Sequence, residues 1–194
     1  AAHPVEQFRA IASANGARSY SSLMEEGVAG GGRKQVMMAA MVEGMSKGRT
    51  KRGADFITVS WNHFHDQDKN MLVGHDDSNG PQDIGRLRVT YHHNWFNGSI
   101  QRNPRVRFGE PVHVFNNYYL NITGYGVASQ MNAGVMVEAN FFDNVEKPTR
   151  NDVGGTAGRI VARLNININT EDPIVTAGSV VEPQFEARIG HRRP

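Results

Sequence analysis

Three arginines, Arg102, Arg105 and Arg107, fall within six residues of the stretch "QRNPRVRFG", on a chain whose formal net charge is only +2. Guanidiniums this close repel one another unless anions offset them, either carboxylates of the protein or a bound polyanion. In an extended segment residues two apart share a face, so Arg105 and Arg107 are predicted to point one way. Pro104 would re-aim Arg102. Lys69, in "HDQDKNM", follows an earlier run of the same texture. Were those runs stacked as neighbouring strands about 4.8 Å apart, Lys69 would stand beside Arg102 and Arg107, and a cationic groove would open to solvent. The competing reading is structural: one or two of the arginines pair with acidic neighbours such as Asp66, Asp68 or Asp83 on the adjacent coil.

Other residue types invite other chemistry. His63 with His65, or His92 and His93 with His113, could be metal ligands, because imidazoles spaced along a strand can share a face. A ladder of neutral, hydrogen-bonded rings is the more ordinary use of such positions. The stretch "GHDDSNGPQDIG" has acids and glycines but lacks the acid alternation and terminal glutamate of a calcium-binding EF-hand loop. "GGGRK" and "GGTAGR" are too short and wrongly flanked for a phosphate-binding loop.

The elements that would position these groups come from a repeat. From Asp55 onward the chain reads as short β-branched and aromatic runs, "FITVSWNHF", "LRVTYHHNWF", "VHVFNNYY", "VMVEANFF" and "IVARLNINI". Aligned, they place Asn62, Asn94, Asn117, Asn140 and Asn165 in register at intervals of 32, 23, 23 and 25 residues, each generally followed by an aromatic or apolar pair. Such a period marks a solenoid, in which each unit is too small to close its own core and must stack on the next. An antiparallel sandwich would also use short strands at regular spacing, but hairpin dipeptides between the runs are scarce. The long first interval places an inserted loop over residues 65–86. Residues 1–52 lack this rhythm and form an atypical segment, with an Ala/Met-rich stretch, "VMMAAMVEGM", that favours helix. The expected fold is therefore all-β over residues 53–194, with a helical or irregular N-terminal segment. With no Cys among 194 residues there is no disulfide or thiolate chemistry. No apolar run is long enough to span a bilayer, and the charge is too small to imply nucleic acid. The opening "AAHPVEQFRA" lacks the basic-then-apolar pattern of a secretory signal, as in a mature form, a fragment or a cytoplasmic protein.

The segments "VSWNHFHDQDK", "VTYHHNWF", "QRNPRVRFG" and "VHVFNNYY" resemble, in order, the pectate lyases of polysaccharide lyase family 1, over residues 53–180. The resemblance implies a right-handed parallel β-helix, secretion, and eliminative cleavage of polygalacturonate. The family's Arg-x-Pro-x-x-Arg motif falls on Arg102, Pro104 and Arg107, which makes Arg102 the catalytic base and Arg107 a substrate-binding residue, while Lys69 matches the lysine of the catalytic groove. Arginine is an awkward base because it holds its proton tightly, and crowding by other cations favours its neutral form. The resemblance also implies Ca2+, yet the two aspartate positions counted back from Lys69 are Met45 and Arg49. Two readings follow: Arg49 replaces the ion as a fixed cation, as resembles the related pectin lyases, or the site is incomplete. The expected partner is an acidic polysaccharide, bound by a monomer. The competing functions are a truncated, non-catalytic β-helix that grips polygalacturonate and a hydrolase using the histidines as metal ligands.

Overall fold

The computed structural model describes residues 48–172 and 174–183. Met45 and nearly all of the segment 1–52 lie outside them. Three parallel stacks of strands make up the described chain. The first is a sheet of β2 (Ile57–Ser60), β5 (Val89–His92), β8 (Val112–Phe115), β10 (Gly134–Glu138) and β12 (Arg159–Arg163), paired in that order. The second stack takes β3 (His63–His65), β6 (Trp95–Asn97), the first part of β9 (Tyr118–Gln130), the first part of β11 (Phe141–Arg150), and β13 (Ile166–Ile168). The third takes β1 (Gly48–Thr50), β4 (Met71–Val73), β7 (Arg105–Arg107) and the far ends of β9 and β11. This is the parallel β-helix expected from the repeat. Strand β1 adds a rung N-terminal to residue 53, from a segment whose sequence carries no repeat signal.

Period-2 alternation turns one residue in two inward, and parallel stacking puts like residues above like. Ile57, Val89, Val112, Val135 and Ile160 form one column, and Val59, Tyr91, Val114, Val137 and Ala162 the next. Nearly all are buried. On the second stack, Phe64, Phe96, Tyr119 and Phe142 stack with ring centroids 5.1, 4.9 and 4.5 Å apart. The column ends at β13, where Asn167 takes the aromatic position and all three residues are exposed.

The corner between the first and second stacks is made by the recurrent asparagines. Asn62, Asn94, Asn117 and Asn140 each donate Nδ2–H to the Oδ1 of the next asparagine, at 3.0 Å in every case, ending on Asn165. The same oxygens accept backbone N–H groups. The residue before each asparagine, Trp61, His93, Asn116, Ala139 and Leu164, has φ between 51° and 60°, a left-handed conformation that L side chains resist. The amide ladder over-determines the corner and so holds that strain. Helix α1 (Gly80–Asp83) is a single turn within the inserted loop.

Candidate functional site

The arginine-rich stretch joins β6 to β7. Val106 points into the core with no exposed surface, so Arg105 and Arg107 on either side face outward together. Arg102 reaches the same face by another route. Its φ is 62°, and its carbonyl accepts the Met71 N–H at 2.7 Å. The following residue, Asn103, is fully buried. Its N–H donates to the Gly126 carbonyl at 2.8 Å and its Nδ2 to the Tyr125 carbonyl at 3.2 Å. Its Oδ1 accepts from Asn70 Nδ2 at 2.6 Å and Ser99 Oγ at 3.1 Å, and its carbonyl accepts from the Tyr119 hydroxyl at 2.8 Å. A left-handed residue anchored on a buried amide thus aims Arg102, where the sequence had credited Pro104 alone.

Lys69 forms a parallel bridge with Gln101, one rung from Arg102. Four cations therefore follow one another across adjacent rungs, Lys69, Arg102, Arg105 and Arg107, and their partners differ. Lys69 pairs with Asp68, which also accepts from Gln101 Nε2 at 3.0 Å. Asp68 is held below the usual carboxylate range by the hydrogen bonds from Lys69 and Gln101, with Arg102 adding to the effect. Arg105 donates Nε–H to Gln130 Oε1 at 2.5 Å and Nη2–H to the Val153 carbonyl at 2.8 Å. Arg107 donates Nε–H to Asp77 Oδ1 at 2.5 Å and Nη1–H to the Gly74 carbonyl at 3.3 Å. Gln130, fully buried, closes the chain by donating Nε2–H to the same Asp77 oxygen at 3.0 Å. Arg102 has no carboxylate at ion-pairing distance among the described residues, and its Nε is buried without a hydrogen-bond partner.

The structural reading of the arginines named the wrong acids. Asp66 contacts His65, and Asp83 accepts the Gly53 N–H at 2.8 Å. The acid that takes an arginine is Asp77, in the inserted loop. Burial lowers the Arg105 pKa, and repulsion from Arg107 and Arg102 lowers it further, against an opposing pull from Tyr125. The phenol of Tyr125 is raised by burial and pulled down by Arg105 and Arg102. Asp77 and Gln130 escaped the sequence reading because they act across 25 to 53 residues, with no motif to announce the partnership.

The histidines are otherwise engaged. His63 stacks on Trp95 with centroids 3.9 Å apart, His92 and His93 contact through their Nδ1 atoms at 2.8 Å, and His113 meets Glu138 at 2.7 Å. No group of three or more His, Asp or Glu among the described residues could hold a metal ion. Of the two positions at which the resemblance places calcium ligands, Arg49 lies on β1 in register with Leu72, itself in register with Arg105. Calcium takes oxygen ligands, and neither the guanidinium of an arginine nor the thioether of a methionine supplies one, so these positions do not fit the ion.

The sequence profile described as pectate lyase matches residues 48–183. A pectate trisaccharide-lyase of Bacillus licheniformis is 44% identical over 98 residues, 50% of this chain and 27% of that protein. Pectate lyase E of Dickeya chrysanthemi is 49% identical over 77 residues, 40% of this chain and 20% of that protein. Among solved structures, a variant pectate lyase from Xanthomonas campestris superposes with a TM-score of 0.56 at 29% identity, over 69% of this chain and 41% of the other. A pectate lyase from Bacillus sp. N165 in complex with trigalacturonate gives 0.56 at 32% identity, over 69% and 44%. The chain spans under a third of the length of these curated relatives.

Proposed function

The chain belongs to the pectate lyase family, whose profile spans residues 48–183, and on that premise we propose that it cleaves polygalacturonate by β-elimination with Arg102 as the base. The reaction removes the ring proton beside the uronate carboxylate, and negative charge then spreads onto that carboxylate. Cations fixed at that position stabilise the transition state more than the ground state. The observation that carries this reading is the contrast within the cation row: Lys69 and Arg107 are ion-paired, whereas Arg102 forms no ion pair among the described residues and has its Nε buried without a partner.

In this arrangement Arg102 takes the C5 proton, the C4–O4 glycosidic bond breaks as the C4=C5 double bond forms, and the leaving oxygen takes a proton from solvent. Lys69 and Arg107 hold the uronate and share its developing charge, each giving up part of its pairing with Asp68 or Asp77 to do so. Arg49 supplies fixed positive charge in place of calcium, and no step runs through the ion. The same family membership supports an extracellular location and an acidic polysaccharide as substrate. Among the described residues, no helix is long and apolar enough to cross a membrane.

The test is the ultraviolet absorbance of unsaturated uronide released from polygalacturonate, with and without a calcium chelator. Product should form in both conditions, and Arg102→Ala should lower its rate by about 10²-fold or more with the circular dichroism unchanged. Binding of polygalacturonate without product would identify a non-catalytic β-helix. Product that vanishes on chelation would overturn the assignment to Arg49.

A further inference from the structure

Three tyrosines approach the interior around the cation row, and two are spoken for. The Tyr119 hydroxyl donates to the Asn103 carbonyl at 2.8 Å, and that of Tyr91 bonds Thr50. The Tyr125 side chain is only 6% exposed, yet its hydroxyl closes no hydrogen bond of good geometry, although the guanidiniums of Arg102 and Arg105 lie near enough to act on it. A buried polar group left unmade is costly, and each one in a native fold calls for an explanation. Arg102 Nε is a second orphan in the same place.

The backbone sets these two groups on facing rungs. The Tyr125 N–H donates to the Ile100 carbonyl at 3.1 Å, and the residues on either side of the next step, Asn103 and Gly126, bond at 2.8 Å. Arg102 lies between those two contacts. The glycines flanking Tyr125 allow no slack. A Cβ on Gly124 would meet the Ile100 oxygen at 2.7 Å, and one on Gly126 would meet the Pro148 oxygen at 2.6 Å. Tyr125 is thereby clamped between the rung of Arg102 and the rung of β11. Cations surround its ring: Arg102 from the loop and Arg105 from β7 interact with the phenol, while β11 contributes Arg150 and Lys147, in register with Tyr125. Lys147 is tied to Glu146, and Arg150 to Asp152. Asp68 also feels the charge of Arg102.

We propose that Tyr125 is the positioning residue for Arg102: its buried phenol oxygen takes the otherwise orphaned Nε–H when a uronate is engaged, fixing the guanidinium plane so that its terminal nitrogens face the groove. The phenol suits this task because it accepts a hydrogen bond without neutralising the arginine, as a carboxylate would, and its rigid backbone leaves it little room to drift. Arg105, whose own donors go to Gln130 and the Val153 carbonyl, interacts with the same phenol, so the two guanidiniums meet at one neutral acceptor. This assignment rests on the lyase reading for its purpose but on the two orphaned atoms for its geometry.

Tyr125→Phe keeps the ring and deletes the acceptor. The expected result is a kcat about 10- to 100-fold lower on polygalacturonate, the scale set by a misplaced catalytic group, with KM unchanged. The 15N–1H resonance of Arg102 Nε, assigned by its loss in Arg102→Lys, should move in Tyr125→Phe and should follow the ionisation of Tyr125 in a pH titration of the unsubstituted chain. A resonance indifferent to both overturns the proposal, whatever happens to kcat. Should the unsubstituted chain release no unsaturated uronide, the lyase reading falls, while the resonance still decides the pairing of Tyr125 with Arg102.

Discussion

Two corners of this solenoid are lined with buried asparagine, and they are built to different ends. The first runs from Asn62 to Asn165 through five successive rungs, each amide donating to the next at the same distance. The second consists of Asn70 and Asn103, joined by one bond of 2.6 Å and then diverted to Ser99 and the carbonyls of the neighbouring coil. In the first corner the partners are identical residues, so the pattern closes on itself and exposes no reactive group. In the second the repeat stops after two rungs, Asn70 Oδ1 is left unpaired, and the chain that emerges carries Arg102. The contrast teaches that regular satisfaction of backbone and amide groups makes the scaffold, and that the candidate site occupies the place where regularity is given up.

The comparison can be broken most severely at the first corner. Asn117→Ala orphans buried groups on both neighbouring rungs, at about 1–3 kcal/mol each, and should lower the stability by roughly 3–4 kcal/mol. The midpoint of denaturant unfolding measures it. Asn103→Ala should cost less, roughly 1–3 kcal/mol, because Ser99 can rotate toward other acceptors, but it should lower turnover as well by loosening the turn that aims Arg102. If Asn103→Ala destabilises the fold with no loss of turnover, the second corner is scaffold like the first.

Acid should separate the two corners more gently. Burial, with repulsion from His93 and His113, pushes the His92 pKa down to about 4, and burial lowers His93 and His113 as well, the latter against the pull of Glu138. A histidine kept neutral in the fold is protonated first in the unfolded chain. The stability it contributes is therefore whole above the ordinary histidine pKa of about 6.5 and is lost as the pH falls from there toward 4. All three residues flank the first corner, and none belongs to the second. Hydrogen exchange should accordingly quicken around Asn94 before it does around Asn103 over that range. Equal acceleration at both would show that the corners do not open independently.

The difference between the corners also explains what was legible in the sequence. Five asparagines at near-constant spacing, each before an aromatic or apolar pair, announce the stacked coils because identical neighbours leave a period. Lys69, Arg102 and Arg107 were legible through their motifs and lie along one row of rungs. The partners of that row were not. Asp77 lies in an insertion with several acids, of which Asp66, Asp68 and Asp83 looked equally suitable, and only the folded path of the loop selects it. Tyr125 reads as one more strand aromatic until the missing partner of its hydroxyl is seen. The left-handed residues before each asparagine, Trp61, His93 and Leu164 among them, carry no glycine to betray them, since the ladder rather than local propensity fixes their conformation.

Strand β9 runs unbroken from Tyr118, in the aromatic column, to Gln130, which grips Arg105. In mechanical terms it is a splice between spine and jaw. A slip of one residue would invert every side chain along it, so the jaw cannot shift its teeth without dislodging the spine. On the lyase reading, a polymer would therefore meet a surface already set in its working shape, and little of the grip would be spent on ordering the protein.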